Sequence, residues 1–87
     1  MGMTVAEANR LIGSKLRGAR AERDYSREEL SQRSGVAVMT IRRAEEGSAA
    51  IKPTTLISLC RALELPVGEL MDLIAEQIDQ AGGLDPE

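Results

Sequence analysis

The 11 Lys and Arg, Arg27, Arg42, Arg43 and Lys52 among them, are the side chains of this chain best suited to chemistry. An Arg guanidinium forms paired hydrogen bonds with phosphate or with a guanine edge, and a Lys ammonium attracts phosphate as a point charge. Catalysis finds no comparable support. The chain has no His, the side chain most often used for proton transfer near neutral pH. Its single Cys, Cys60, falls on an apolar helical stripe, where a packed, inert thiol is a better reading than a nucleophile. Glu28-Glu29 and Glu45-Glu46 are adjacent pairs, and neighbours on a helix point in different directions rather than converging on one substrate. No metal-ligand cluster and no Gly-rich phosphate loop occurs. The chain reads as a non-enzyme with no catalytic residue, metal or cofactor.

The formal net charge is -3, which by itself argues against a polyanionic partner. Its distribution argues the other way. All 11 Lys and Arg lie between Arg10 and Arg61, a segment that is +5, and the flanks hold eight acids and no base. Phosphate binding depends on local charge, so a basic body with an acidic tail is compatible with nucleic acid. A solvated surface with a chance excess of charge explains the same asymmetry equally well.

These residues need a scaffold, and 87 residues allow one modest core. Without Phe or Trp, and with Tyr25 the one aromatic, that core must come from Leu, Ile, Val, Met and Ala. A lone Cys cannot form an internal disulfide, so a reducing, cytoplasmic setting is expected. No apolar run approaches the ~20 residues that cross a bilayer, and the first residues lack the pattern of a signal peptide.

The periodicity is helical throughout. Thr4-x-x-Glu7 is a capping box, and Val5, Ala8, Ile12, Leu16 and Ala19 recur at helical spacing, which predicts a helix over 4–23 weakened by Gly13 and Gly18. Ser26-x-x-Glu29 caps a second helix that stops at Gly35, and 37–46 reads as a third with Ile41 and Ala44 inward. Pro53 opens a fourth, with Leu56, Leu59, Cys60 and Leu63 in one stripe. A fifth runs over 68–80, and 82–87 reads as a frayed tail. No strand pattern is present. The fold class is all-α with five helices.

Residues 26–47 are the informative stretch: two short helices joined through Gly35, with small Ser31 in the first where the second crosses close by. That is the layout of a helix-turn-helix, whose second helix enters the major groove. Leu16, Arg20, Ser26 to Ser31, Gly35-Val36, Thr40 to Glu45, Gly47, Pro53, Leu63 to Val67 and Leu70 fall in matching order and spacing. On these residues the sequence resembles the Cro-like (Xre) helix-turn-helix domains of phage repressors. The resemblance implies a lambda-repressor-like domain over 12–70, with 1–11 an N-terminal extension of helix one and 71–87 a C-terminal helix extension and acidic tail.

It also implies roles for particular residues. Arg20 and Glu45 fall where the family has a semi-buried ion pair tying helix one to the recognition helix. Arg27 stands where a Gln commonly bonds DNA phosphate. Ala37, Val38, Met39, Arg42 and Arg43 form the outward face of the recognition helix, with Arg43 at a place that often reaches a base edge. Ser48 and Lys52, with Thr54 and Thr55, are expected near phosphate. The sequence departs from the family at Val38 and Met39, which replace commonly polar residues, and at Glu46, an acid that would repel phosphate. Val38 and Met39 either contact thymine methyl groups or pack on protein, and Met39 alternatively folds over its own domain.

The function implied is a sequence-specific regulator that binds double-stranded DNA, a repressor or an antitoxin-type autoregulator, with a toxin or other regulator as a further partner. The other class open to this sequence is a protein-interaction module that keeps the fold without DNA, since sites rather than scaffolds carry function. A homodimer is expected, joined through Ile74 and Ile78 on a fifth helix that runs beyond the domain. The competing arrangement folds that helix against Val5, Ala8 and Ile12.

Overall fold

Helix α1 (Val5–Glu22) begins where the sequence says it should. The Glu7 N–H donates to Thr4 Oγ1 at 3.0 Å, and the Thr4 N–H donates to Glu7 Oε1 at 3.1 Å. The computed structural model describes residues 1–86 and has four further helices: α2 (Arg27–Ser34), α3 (Val38–Glu46), α4 (Pro53–Ala62) and α5 (Val67–Gln80). Ser26 and Glu29 cap α2 in the same reciprocal way. Gly35, at φ 75°, ends it in the left-handed region that a glycine enters without steric cost, which lets α3 turn sharply away. Ala37, expected inside the third helix, is its N-cap and supplies no side-chain hydrogen bond. No helix among the described residues is long and apolar enough to cross a membrane.

The core joins Leu16 of α1, Leu30 of α2, Ile41 and Ala44 of α3, Leu56, Leu59 and Cys60 of α4, Leu63, and Leu70 and Ile74 of α5. Burial pushes the Cys60 thiol up from its ordinary pKa, as suits a packed residue rather than a nucleophile. Helix α3 packs on both α1 and α2, so it is held from behind by two elements.

Glycine at position 13 makes the α1–α3 crossing close. A Cβ there would lie 2.6 Å from the Glu45 carbonyl oxygen and closer still to that of Ala44. The sequence marks Gly13 only as a weak point of α1, whereas in the tertiary structure it is the place where α3 sits down on α1.

Two expectations about the C-terminal part are corrected. Ile74 is 4% exposed and belongs to the protomer's own core, so it does not lie beyond the domain. Ile78 is half-buried and packs against that core, as does Ile12 of α1. Helix α5 folds back along α1 because doing so takes both apolar stripes out of water within one chain. The segment after α5 is not frayed either. Met3 and Leu84 form a parallel β-bridge, in which the Met3 N–H donates to Gly83 O at 2.9 Å and the Asp85 N–H to Met3 O at 2.8 Å. The Gly2 N–H adds a bond to Asp85 Oδ1 at 2.8 Å. Two single residues pairing through their backbones leave no periodicity to read, so the sequence carries no signal for this clasp.

Candidate nucleic-acid interface

Helix α3 buries one face and offers the other. Ile41, Ala44 and Glu45 are buried, while Met39, Thr40, Arg42 and Arg43 are exposed and Val38 is half-buried. Met39 is 52% exposed, so it does not fold down over its own domain. Arg42 reaches Glu46 at 3.6 Å, with both side chains more than half exposed. An exposed pair of this kind is worth only ~0.3–0.5 kcal/mol, little enough for a stronger anion to displace. Arg43 has no ion-pair partner among the described residues.

The loop after α3 returns beside this face. Thr40 and Arg43 of α3, Ala49 and Ala50 of the loop, and Lys52 and Thr55 at the start of α4 line one open hollow. Arg43 and Lys52, each expected at the interface, thus line the same hollow as Thr40 and Thr55. Helix α4 begins at Pro53 with no side-chain cap, leaving its first N–H groups free for an external acceptor. Ser48 fits less well as a phosphate ligand. Its N–H and hydroxyl both donate to Arg43 O, at 3.2 and 3.4 Å, closing the C-terminus of α3.

Behind the face lies the expected ion pair, with an unexpected third member. Arg20 Nε donates to Glu45 Oε2 at 2.6 Å, and a second Arg20 nitrogen donates to Oε1 at 2.9 Å. Its remaining terminal nitrogen reaches Tyr25 O at 2.9 Å, which leaves Arg20 wholly structural. Arg27 Nε also donates to Glu45 Oε1, at 3.1 Å. The Glu45 side chain is 2% exposed. Burial opposes its charge, but the bonds from Arg20 and then Arg27 outweigh that cost and hold the carboxyl below the ordinary range. The Arg27–Glu45 contact escaped the sequence because the residues lie 18 apart on helices whose crossing no local pattern specifies.

A helix-turn-helix family model matches residues 16–70, well over half of the chain. The chain belongs to the helix-turn-helix family. In this helix-turn-helix protein the matched stretch runs from Leu16, the first core residue of α1, to Leu70, the first of α5. The crystal structure of the clp gene regulator ClgR from C. glutamicum superposes with a TM-score of 0.72 at 25% identity, covering 82% of this chain and 91% of that one. Comparison with curated proteins gives no match. The five-helix, all-α architecture agrees with the lambda-repressor-like expectation.

Proposed function

We propose that this helix-turn-helix protein is a transcriptional regulator that binds double-stranded DNA with α3 in the major groove. The observation that carries the reading is the two-sided build of α3: Ile41, Ala44 and Glu45 anchor it, while Arg43, without an ion-pair partner among the described residues, stands on the exposed face and lines the same hollow as Lys52. Arg43 reads a base edge, Val38 and Met39 meet thymine methyl groups, and Arg27, Lys52 and the free start of α4 bind backbone phosphate. Titration with mixed duplex DNA at rising salt tests the reading, because a protein that neutralises several phosphates loses affinity steeply. Absence of binding to any duplex, with capture in a stable protein complex, would instead establish an interaction module.

The two classes of contact separate by mutation. Arg43→Ala is expected to relax base preference, a good bidentate contact being worth about 1–3 kcal/mol of discrimination. Arg27→Ala is expected to weaken all sequences alike, since a phosphate contact carries no direct sequence information. Selection of bound DNA from a random pool reads both effects, and an unchanged preference in the Arg43 variant removes that residue from base recognition.

Homodimerisation forms part of the proposal, because one short recognition helix specifies few bases and two can meet grooves about 34 Å apart. With Ile74 inside the protomer, the contact rests on the exposed part of Ile78 and on the shallow groove between α1 and α5, where Gly18, Ala19, Leu65 and Leu73 meet. Sedimentation at micromolar concentration is expected to give a dimer that Ile78→Glu dissociates. A monomeric parent protein would remove this interface.

A further inference from the structure

The Arg27 guanidinium is only half used. Its Nε is bonded to the buried Glu45 carboxylate, and among the described residues its two terminal nitrogens make no hydrogen bond. The side chain is 30% exposed and rises from the first residue of α2. A free Arg side chain samples many rotamers and loses that freedom on binding. Here Glu45 has removed much of it beforehand, and Arg20 holds Glu45 by two bonds of its own.

We propose that Glu45 is a positioning residue for DNA: its carboxylate fixes Arg27 through Nε, so that the remaining fork is already aimed when a backbone phosphate arrives. The inference rests on the DNA-binding reading above. It gives the buried carboxylate a second task besides joining α1 to α3, and it links the phosphate contact at α2 to the seat of the recognition helix. An Arg is required in this arrangement. A Lys at position 27 has one nitrogen, which cannot hold Glu45 in this geometry and still offer a two-pronged fork to phosphate.

The test measures the affinity of the full chain for a selected duplex between about 50 and 200 mM salt, where each neutralised phosphate contributes about 0.9 to the slope of log K against log salt. Thermal melting of each variant is followed alongside. Arg27→Gln is expected to flatten the slope by about that amount. Glu45→Gln is expected to flatten it similarly in the parent protein and to add nothing further in the Arg27→Gln background. Arg27→Lys keeps the charge and the fold, and its affinity is expected to fall about threefold to tenfold with little change in melting. A steeper slope or tighter binding in Glu45→Gln would overturn the proposal, showing that Glu45 withholds Arg27 from DNA. So would an unchanged slope in Arg27→Gln accompanied by lower thermal stability, which is the signature of a purely structural pair. If Glu45→Gln does not fold, Arg27→Lys decides, and full affinity in that variant overturns the proposal. A parent protein that binds no duplex removes the DNA-binding reading itself, a result distinct from all of these.

Discussion

Replacing Arg20 with Ala is expected to lower stability by about 3 kcal/mol, a large share of what a domain of this size has to lose. Glu45 is buried and takes two of its three hydrogen bonds from Arg20, so the variant keeps a buried charge with only Arg27 left to face it. The same variant frees Tyr25 O, which holds the turn between α1 and α2. The remaining Arg27 contact keeps the cost at the lower end of the usual range for breaking a buried pair. In a domain of this length the melting temperature is expected to fall by on the order of 10–20 °C. The acid limb of the stability curve changes too. A carboxyl held below its ordinary value of 4.5 contributes stability that is complete above that value and disappears as pH falls through the depressed one. With Arg20 gone the depression is smaller, so the loss of stability on acidification is shallower. DNA binding is expected to decline indirectly, with the folded fraction and through the loosened hold of Glu45 on Arg27. A loss below about 1 kcal/mol would mean that the pair behaves as an exposed one, and normal melting with abolished binding would assign Arg20 to the interface.

Two glycines in one helix are expected to respond to Ala with opposite sign. At Gly18 no atom lies within 4 Å of an added Cβ, so the substitution gains helix propensity and stabilises by about 0.5–1 kcal/mol. At Gly13 the same methyl meets backbone oxygens of Ala44 and Glu45, which cannot rotate aside as a flexible side chain would. Helix α3 must then move off α1, and overpacking of this kind costs about 1–3 kcal/mol after any gain in propensity. The displacement is also expected to disturb the three-way contact at Glu45, since its carbonyl is one of the groups pushed. Urea melts of the two variants against the parent read both effects. Equal stabilisation by both would show that α1 and α3 are not in close backbone contact.

The five helices, their caps and the turn at Gly35 were open to sequence reading, because each depends on short-range chemistry. Thr4 with Glu7 and Ser26 with Glu29 satisfy backbone donors three residues away, and Gly35 ends α2 through its own backbone. The Arg20–Glu45 pair was open only through resemblance, as 25 residues separate its members. The sequence also identified Met39, Arg42 and Arg43 as outward residues of α3, because Ile41 and Ala44 mark the opposite face, whereas Val38 is half-buried.

Whether a residue is surplus to a core was a different kind of question. Ile74 and Ile78 repeat at helical spacing whether α5 projects from the domain or folds back on α1. Only the tertiary arrangement decided between these, putting Ile74 in the core and pinning the segment beyond α5 to Met3. Gly13 and Gly18 look alike in sequence, and what separates them is the path of α3, made of residues some thirty positions away. Arg27 likewise carries the same charge in either representation, yet its attachment to Glu45 exists only once α2 and α3 are packed together. Propensity and capping act over a turn of helix, so one strand of sequence contains them whole. Burial, close approach and shared ion pairs arise between elements, and they take their values only when the chain has brought those elements together.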